Sequence, residues 1–243
     1  MTPTVKRLSR QSSPVTEGSG VRYVFVQWGG DLSGANLSES ITMSGPKTVA
    51  AIWAPQYELK IESDYGHVNG SGWYDPSTQA AFGVDTLVID TANDTRRVFT
   101  EWSGDFGGTN QQGTVTMDGP KSIGADWKTQ YLVTFLTRGV RNETTLMLTL
   151  NTEPHQVKVP EDVKLWVDAG SSVSFSSNAT VSASFRRYVL QEWRNSTGGA
   201  VKSPQSVLKP EKYTAVYKEL SMFPCIIATA GGSPFCFHTP MRA

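Results

Sequence analysis

An all-β chain built of tandem small modules is what this sequence predicts, and three observations carry that expectation. One phrase recurs: "RYVFVQWGGDLSGAN" begins at Arg22 and "RRVFTEWSGDFGGTN" at Arg96. Several segments alternate with a period of two or are rich in aromatic and β-branched residues, and none carries the 3.6-residue apolar period of an amphipathic helix. Turn clusters such as "YGHVNGSGWYDPST" recur between them.

Taken in order, the N-terminal "MTPTVKRLSRQSSPVTEGSG" has basic residues but no apolar run after them, so it is not a secretory signal. "RYVFVQW" alternates, placing Tyr23, Phe25 and Gln27 on one face and Val24, Val26 and Trp28 on the other. Trp28 and Trp102, Met43 and Met117, Pro46 and Pro120, Trp53 and Trp127, and Tyr57 and Tyr131 all keep an offset of 74. From Arg22 to Tyr57 no gap is needed and about half the positions are identical, against roughly one in sixteen by chance. "TVTM" and "SIGADW" flank the turn "DGPK", and "QYELKIES" and "QYLVTFLT" read as the starts of new strands. A degraded third copy runs from Arg186 ("RRYVLQEWRNSTGG") through Val207 ("VLKPEKYTAVY"), with the glycine–aspartate pair gone.

These readings divide the chain into four parts. Residues 1–55 are a partial module with an atypical N-terminal segment, 56–128 a complete module, 129–220 a longer divergent one, and 221–243 a tail. Units of ~70 residues bury a marginal core, so packed neighbours or tryptophan anchors are expected to supplement it. Trp28, Trp53, Trp102, Trp127 and Trp193 hold equivalent positions and are expected in the core.

The 22 basic and 22 acidic residues balance and neither sign runs in blocks, which argues against a nucleic-acid partner or a polybasic membrane patch. No apolar run approaches the ~20 residues that span a bilayer; "MFPCIIATA" is far too short. Asn36, Asn69, Asn93, Asn142, Asn178 and Asn195 each open an N-x-S/T sequon, where chance gives roughly one or two. That excess points to an exported, N-glycosylated protein whose signal lies upstream; coincidence in a Ser/Thr-rich β protein is the alternative.

No catalytic constellation emerges. His67, His155 and His238 lie in unrelated contexts, and no nucleophile elbow, P-loop or dinucleotide fingerprint is present. Glu101 and Asp105 could do acid–base work, but the repeat places Gln27 opposite Glu101. Asp31 and Asp105 each follow Trp-small-Gly and precede a loop ending in Asn36 or Asn110. Such a carboxylate with loop carbonyls and an amide oxygen could ligate Ca²⁺; the alternative is an aspartate capping a turn through N–H groups two residues on. Trp73 and Tyr74 in "GSGWYD" could stack on sugar rings or cover a core edge. Cys225 and Cys236, the only two cysteines, could form a disulfide in an exported protein.

Tyr57, Gly66, Gly70, Gly72, Trp73, Tyr74, Phe99, Trp102, Gly104, Asp105, Met117, Gly119, Pro120, Lys121, Ala125 and Trp127 form an ordered pattern. That pattern resembles tandem repeats of archaeal cell-surface and secreted proteins, and is similar to the internalin B-repeat family, whose units close on an "A-x-W" strand. The resemblance covers about 22–217, strongly in the first two copies. It implies small β modules, some β-grasp-like, used as spacers or adhesive surfaces, with no catalytic residues to carry over. "CIIATA" from Cys225, followed by "GGSP", is similar to a box near the C-termini of many exported archaeal and bacterial proteins, although the aromatic before Gly-Ser is missing. With the absent signal peptide and the half-module start, this departure suggests a piece of a longer chain or a shifted reading frame. The expected function is a non-enzymatic extracellular stalk or adhesion module. A carbohydrate-binding module and the accessory region of a larger secreted peptidase or solute-binding protein stand as alternatives.

Overall fold

The computed structural model describes residues 4–9, 13–183, 186–221, 226–230 and 233–237, and no helix occurs among them. The chain divides into two compact units: Met1–Ile89 with Arg97–Lys128, and Asp90–Arg96 with Thr129–Ala243. Five sheets of two or three strands, one sheet of twelve strands and three hydrophobic cores are found among the described residues, consistent with tandem β modules.

The first unit holds two copies. In the first copy, β3 (Val21–Gly30) pairs with β2 (Val15–Gly18) on one side and with the first part of β5 (Val49–Ser63) on the other. β1 (Thr4–Ser9) pairs with β4 (Ser38–Met43), setting Leu8 opposite Glu39. In the second copy, β9 (Val88–Thr91) lies beside β10 (Thr95–Gly104), which lies beside β12 (Lys121–Arg138). β8 (Gln79–Val84) pairs with β11 (Gln112–Thr116), setting Phe82 opposite Gly113. Glu39 and Gly113 are themselves 74 apart, so β1 occupies the place of β8 and Leu8 that of Phe82. β6 (Val68–Asn69) pairs with β8, and β7 (Gly72–Tyr74) with β5.

Two expectations are corrected here. "QYELKIES" and "QYLVTFLT" do not start strands: β5 and β12 run unbroken through them, each closing one copy and opening the next. Pro55, a residue usually confined to strand starts and edges, lies inside β5 opposite Tyr23. The face assignment of "RYVFVQW" also fails, because pairing steps from Phe25–Trp53 to Gln27–Ile52. This β-bulge at Val26 inserts one extra residue and turns Phe25 and Trp28 to the same side, 8% and 9% exposed. The third copy repeats the bulge between Leu190 and Glu192.

The core of the first copy is small: Phe25, Trp28, Leu32 and Ile41, with Leu8, Met43, Val49 and Trp53 packed against them. That of the second copy is larger, with Leu59, Phe82, Phe99, Trp102, Met117 and Ile123 among its buried members. Trp102 sits between Phe82 and Phe99, at centroid distances of 5.0 and 5.2 Å.

In the second unit, β12 pairs antiparallel with β15 (Val163–Asp168) and parallel with β22 (Glu211–Ser221). β22 pairs with β19 (Arg186–Arg194), which also holds β18 (Thr180–Ala183) and β20 (Ala200–Val201). β13 (Thr145–Leu150) and β14 (Glu153–Lys158) form a hairpin turned by Asn151 and Thr152 at positive φ, and β17 (Phe175–Ser177) extends it. β16 (Ser172–Val173) pairs with β21 (Gln205–Ser206). Phe135, Phe175, Trp193 and Tyr213 centre the core, and Tyr217 takes the place of Trp53 and Trp127. In the tail, β23 (Ile226–Ala230) pairs with β24 (Ser233–Phe237). Cys225, and with it the expected Cys225–Cys236 disulfide, lies outside the described residues.

Candidate functional site: the tryptophan loop and the repeat-boundary clamp

The opening phrase folds into a loop closed by the same atoms in both copies. The Trp28 indole N–H donates to the Asn36 carbonyl and the Trp102 indole N–H to that of Asn110, each at 2.9 Å. The backbone N–H groups of Trp28 and Trp102 donate to Gly34 and Gly108. Gly30 and Gly104 adopt φ of 80° and 87°, a region that a Cβ penalises. This turn brings Asp31 and Asp105 against the start of the next strand. Asp31 Oδ2 accepts from the Thr48 N–H at 2.8 Å, and Asp105 Oδ2 from the Ser122 N–H at 2.7 Å. Each aspartate thus caps a strand seventeen residues on, not the turn two residues on. Asn36 Nδ2 donates to Glu39. Among the described residues, no three His, Cys, Asp or Glu side chains are grouped to hold a metal.

The third copy keeps this function with a different residue. Where Asp31 and Asp105 stand, it has Ser196, whose N–H donates to Glu211 Oε1 at 3.0 Å. The same oxygen accepts from the Lys212 N–H at 2.9 Å. The carboxylate has moved to the partner strand, and only the altered "KPEK" against "GPKT" hints at it in the sequence. The Asp31 carboxyl is held below its ordinary range by the Thr48 N–H, with Lys47 assisting. Burial pushes Glu211 up, but hydrogen bonds from Ser196 and Lys212 outweigh it and the net direction is down. Depressed carboxyls contribute stability that is present above the unfolded value and lost as pH falls through the folded one. Melting temperature should therefore fall between about pH 5 and pH 3. Asp31→Asn and Glu211→Gln, which keep an acceptor oxygen, should each flatten that fall in their own unit; slopes equal to wild type would refute the assignment.

A second cluster lies where one copy gives way to the next. In the first unit, Arg22 Nε donates to Gln56 Oε1 at 2.8 Å and Gln56 Nε2 to Asp75 Oδ1 at 2.8 Å. The Arg22 guanidinium lies 4.6 Å over the Trp73 ring, and the Glu58 N–H donates to the Gly20 carbonyl. The second unit contains the same set. Arg96 Nε donates to Gln130 Oε1 at 2.7 Å, Gln130 Nε2 to Asp168 Oδ1 at 2.6 Å, and Arg96 lies 4.4 Å over Trp166. The Leu132 N–H donates to the Asp94 carbonyl. Ser19 and Gly20, like Asn93 and Asp94, have positive φ, so the repeat extends further N-terminally than Arg22. Trp73, read as either a sugar-stacking residue or cover for a core edge, lies against an arginine of its own chain, while the Tyr74 hydroxyl donates to the Gly70 carbonyl.

The spacing of these residues can be compared with known repeats. Residues 57–130 match the family described as the divergent InlB B-repeat domain. The matched span is one full period, beginning at Tyr57 just after Gln56 and ending on Gln130, the glutamine of the next clamp. No curated protein and no solved structure matches the chain. Gln56 and Trp73 are 17 residues apart; in the third copy, Gln130 and Trp166 are 36 apart, because the β13–β14 hairpin intervenes. That insertion hides Trp166 as the counterpart of Trp73.

The sequon asparagines lie on turns and strand ends. Asn36, Asn69, Asn93, Asn142 and Asn178 are exposed and Asn195 is half-buried. Asn178 Oδ1 accepts from the Met147 N–H, and Asn195 Oδ1 from Thr197 and Gly199. His67 pairs with Asp85 at 2.9 Å on the surface. Glu101 and Asp105 point to different tasks, since Asp105 is committed to the Ser122 N–H.

Proposed function

We propose that the chain is a non-enzymatic β-repeat segment that serves as a structural stalk, or an adhesion or interaction module, of a cell-surface or secreted protein. The observation that carries this reading is the clamp: arginine, glutamine, aspartate and tryptophan are reused atom for atom. Conserving a boundary contact within one chain makes sense for a part whose task is to hold copies together. The match to a repeat family supports it, as do exposed sequon asparagines for the exported half of the reading. Intact-mass measurement of protein from its own cells tests that half through glycan increments on those asparagines.

Single-molecule stretching with thermal melting tests the rest. Arg22→Ala and Gln56→Leu each remove a charge-assisted hydrogen bond, and the first also removes a cation–π contact. Each should lower first-unit stability by about 1–2 kcal/mol and its unfolding force with it. Unchanged force in both variants would remove the load-bearing role. Saturable binding on a glycan array that disappears in Trp73→Ala would favour a carbohydrate-binding module instead.

A further inference from the structure

The copies bury equivalent residues but differ on the sheet face turned to solvent. In the first copy this face is apolar, with Val26 and Ile52 45% and 41% exposed. In the second it carries Lys60, Glu62, Asp64, Glu101 and Asp126, all exposed: one cation against four carboxylates, net −3. The third has Arg138 where the second has Asp64, Val216 for Asp126, Leu136 for Glu62, Lys212 for Ser122 and Arg194 for Ser103. With Glu192 counted, three cations stand against one carboxylate, net +2. One scaffold thus presents opposite charge at equivalent positions.

Neither face neutralises itself. Glu62 pairs with Lys60, but Asp64, Glu101 and Asp126 have no ion pair among the described residues. By the register of Gln27–Ile52 and Glu192–Val216, Glu101 and Asp126 stand side by side on neighbouring strands, an arrangement that is destabilising for like charges. Arg194 pairs with Glu192 at 2.5 Å, whereas Arg138 and Lys212 have no ion pair among the described residues. The three cations rim a groove of about 370 Å³ floored by Leu136, Thr214 and Val216, with the Asn195–Gly198 turn as one wall. Lys212 and Val216, the neighbour of Arg138, are four residues apart on β22, so the cations spread over about 13 Å. The acidic face has the same strand spacing.

We propose that chains associate through these faces, the basic groove of the second unit on one chain receiving the acidic sheet face of the first unit on another copy. An acidic polysaccharide would account for the groove but not for the unneutralised carboxylates; a second copy accounts for both. The chain's zero net charge sets no long-range repulsion against it.

Sedimentation velocity of the full chain tests this independently of the stalk reading. At about 20 mM salt a concentration-dependent species heavier than the monomer is expected, and it should dissociate at about 0.5 M salt. Arg138→Glu with Lys212→Glu should weaken association roughly tenfold or more, as should Asp64→Lys with Asp126→Lys. Mixing these two double variants should restore it, which a misfolded variant could not do. A chain that stays monomeric at low salt, or variants that associate like wild type, would overturn the proposal. So would a monomeric chain whose groove binds an acidic polysaccharide in an Arg138-dependent manner.

Discussion

Replacing Trp102 by alanine should destabilise the first unit by about 3–5 kcal/mol, lowering its melting temperature by roughly 10–20 °C. The ring is 2% exposed and is met by Phe82 and Phe99, so its removal leaves a cavity walled by two aromatics that are themselves fixed by strand pairing. The loss also breaks the indole bond to the Asn110 carbonyl, which then has no partner within its loop. Trp28→Ala is expected to cost less, about 2–3 kcal/mol. Its indole bond is the same, but Leu8 stands where Phe82 would, and only Phe25, Leu32 and Ile41 are buried with it in that core. Trp73→Ala should cost least, since the ring stands outside the core and loses chiefly its arginine. Differential calorimetry on the three variants checks the order, and the second unit, which has its own core, should melt unchanged. A Trp102→Ala loss no larger than that of Trp73→Ala would mean that the tryptophan strand does not organise the module.

The repeat, the β class and the core role of the tryptophans were legible because they depend on spacing that the chain keeps constant. Trp28, Trp102 and Trp193 are all buried, as their shared register implies. What the spacing concealed has three physical causes. A bulge adds one residue without any sequence mark, so Val26 breaks a period-two reading that is correct on either side of it. A hairpin inserted before Trp166 shifts it out of register with Trp73, and the clamp, assembled from three separate segments, cannot be seen until both tryptophans are aligned. Finally, a carboxylate can reach the N–H that opens the closing strand from either strand: Thr48 and Ser122 donate to Asp31 and Asp105, and Lys212 donates to Glu211. The third copy, whose "WRNS" has no aspartate, therefore keeps its cap through Glu211. The aspartate is exchangeable because only its oxygen's position matters; the indole is less so because its volume matters too. Tertiary pairing also overrides propensity in β5, where pairing on β3 carries the strand through Pro55.

Gly104→Ala is the other change expected to be severe, at about 2–4 kcal/mol, although it adds a single methyl group. Two independent costs combine. At φ +87° an alanine is strained by about 1 kcal/mol or more wherever it sits. In addition, its Cβ would lie 2.4 Å from the Ser122 carbonyl oxygen, backbone that cannot rotate away. That carbonyl accepts the Asp105 N–H, and the Ser122 N–H donates back to the Asp105 carboxylate. Pushing the strand aside therefore breaks both bonds of the cap that closes the tryptophan loop. Gly119→Ala supplies the control: a Cβ there meets nothing within 4 Å, and its φ is not in the left-handed region. That substitution should be neutral, or stabilising by a few tenths of a kcal/mol through reduced unfolded-state entropy. Chemical denaturation of the pair decides the matter. If the two alanines were equally tolerated, the glycine of "WSGD" would be free of structural duty and the loop open to another role. A large gap between them would leave the phrase explained by one strained turn, one indole and one carboxylate acting on the neighbouring strand.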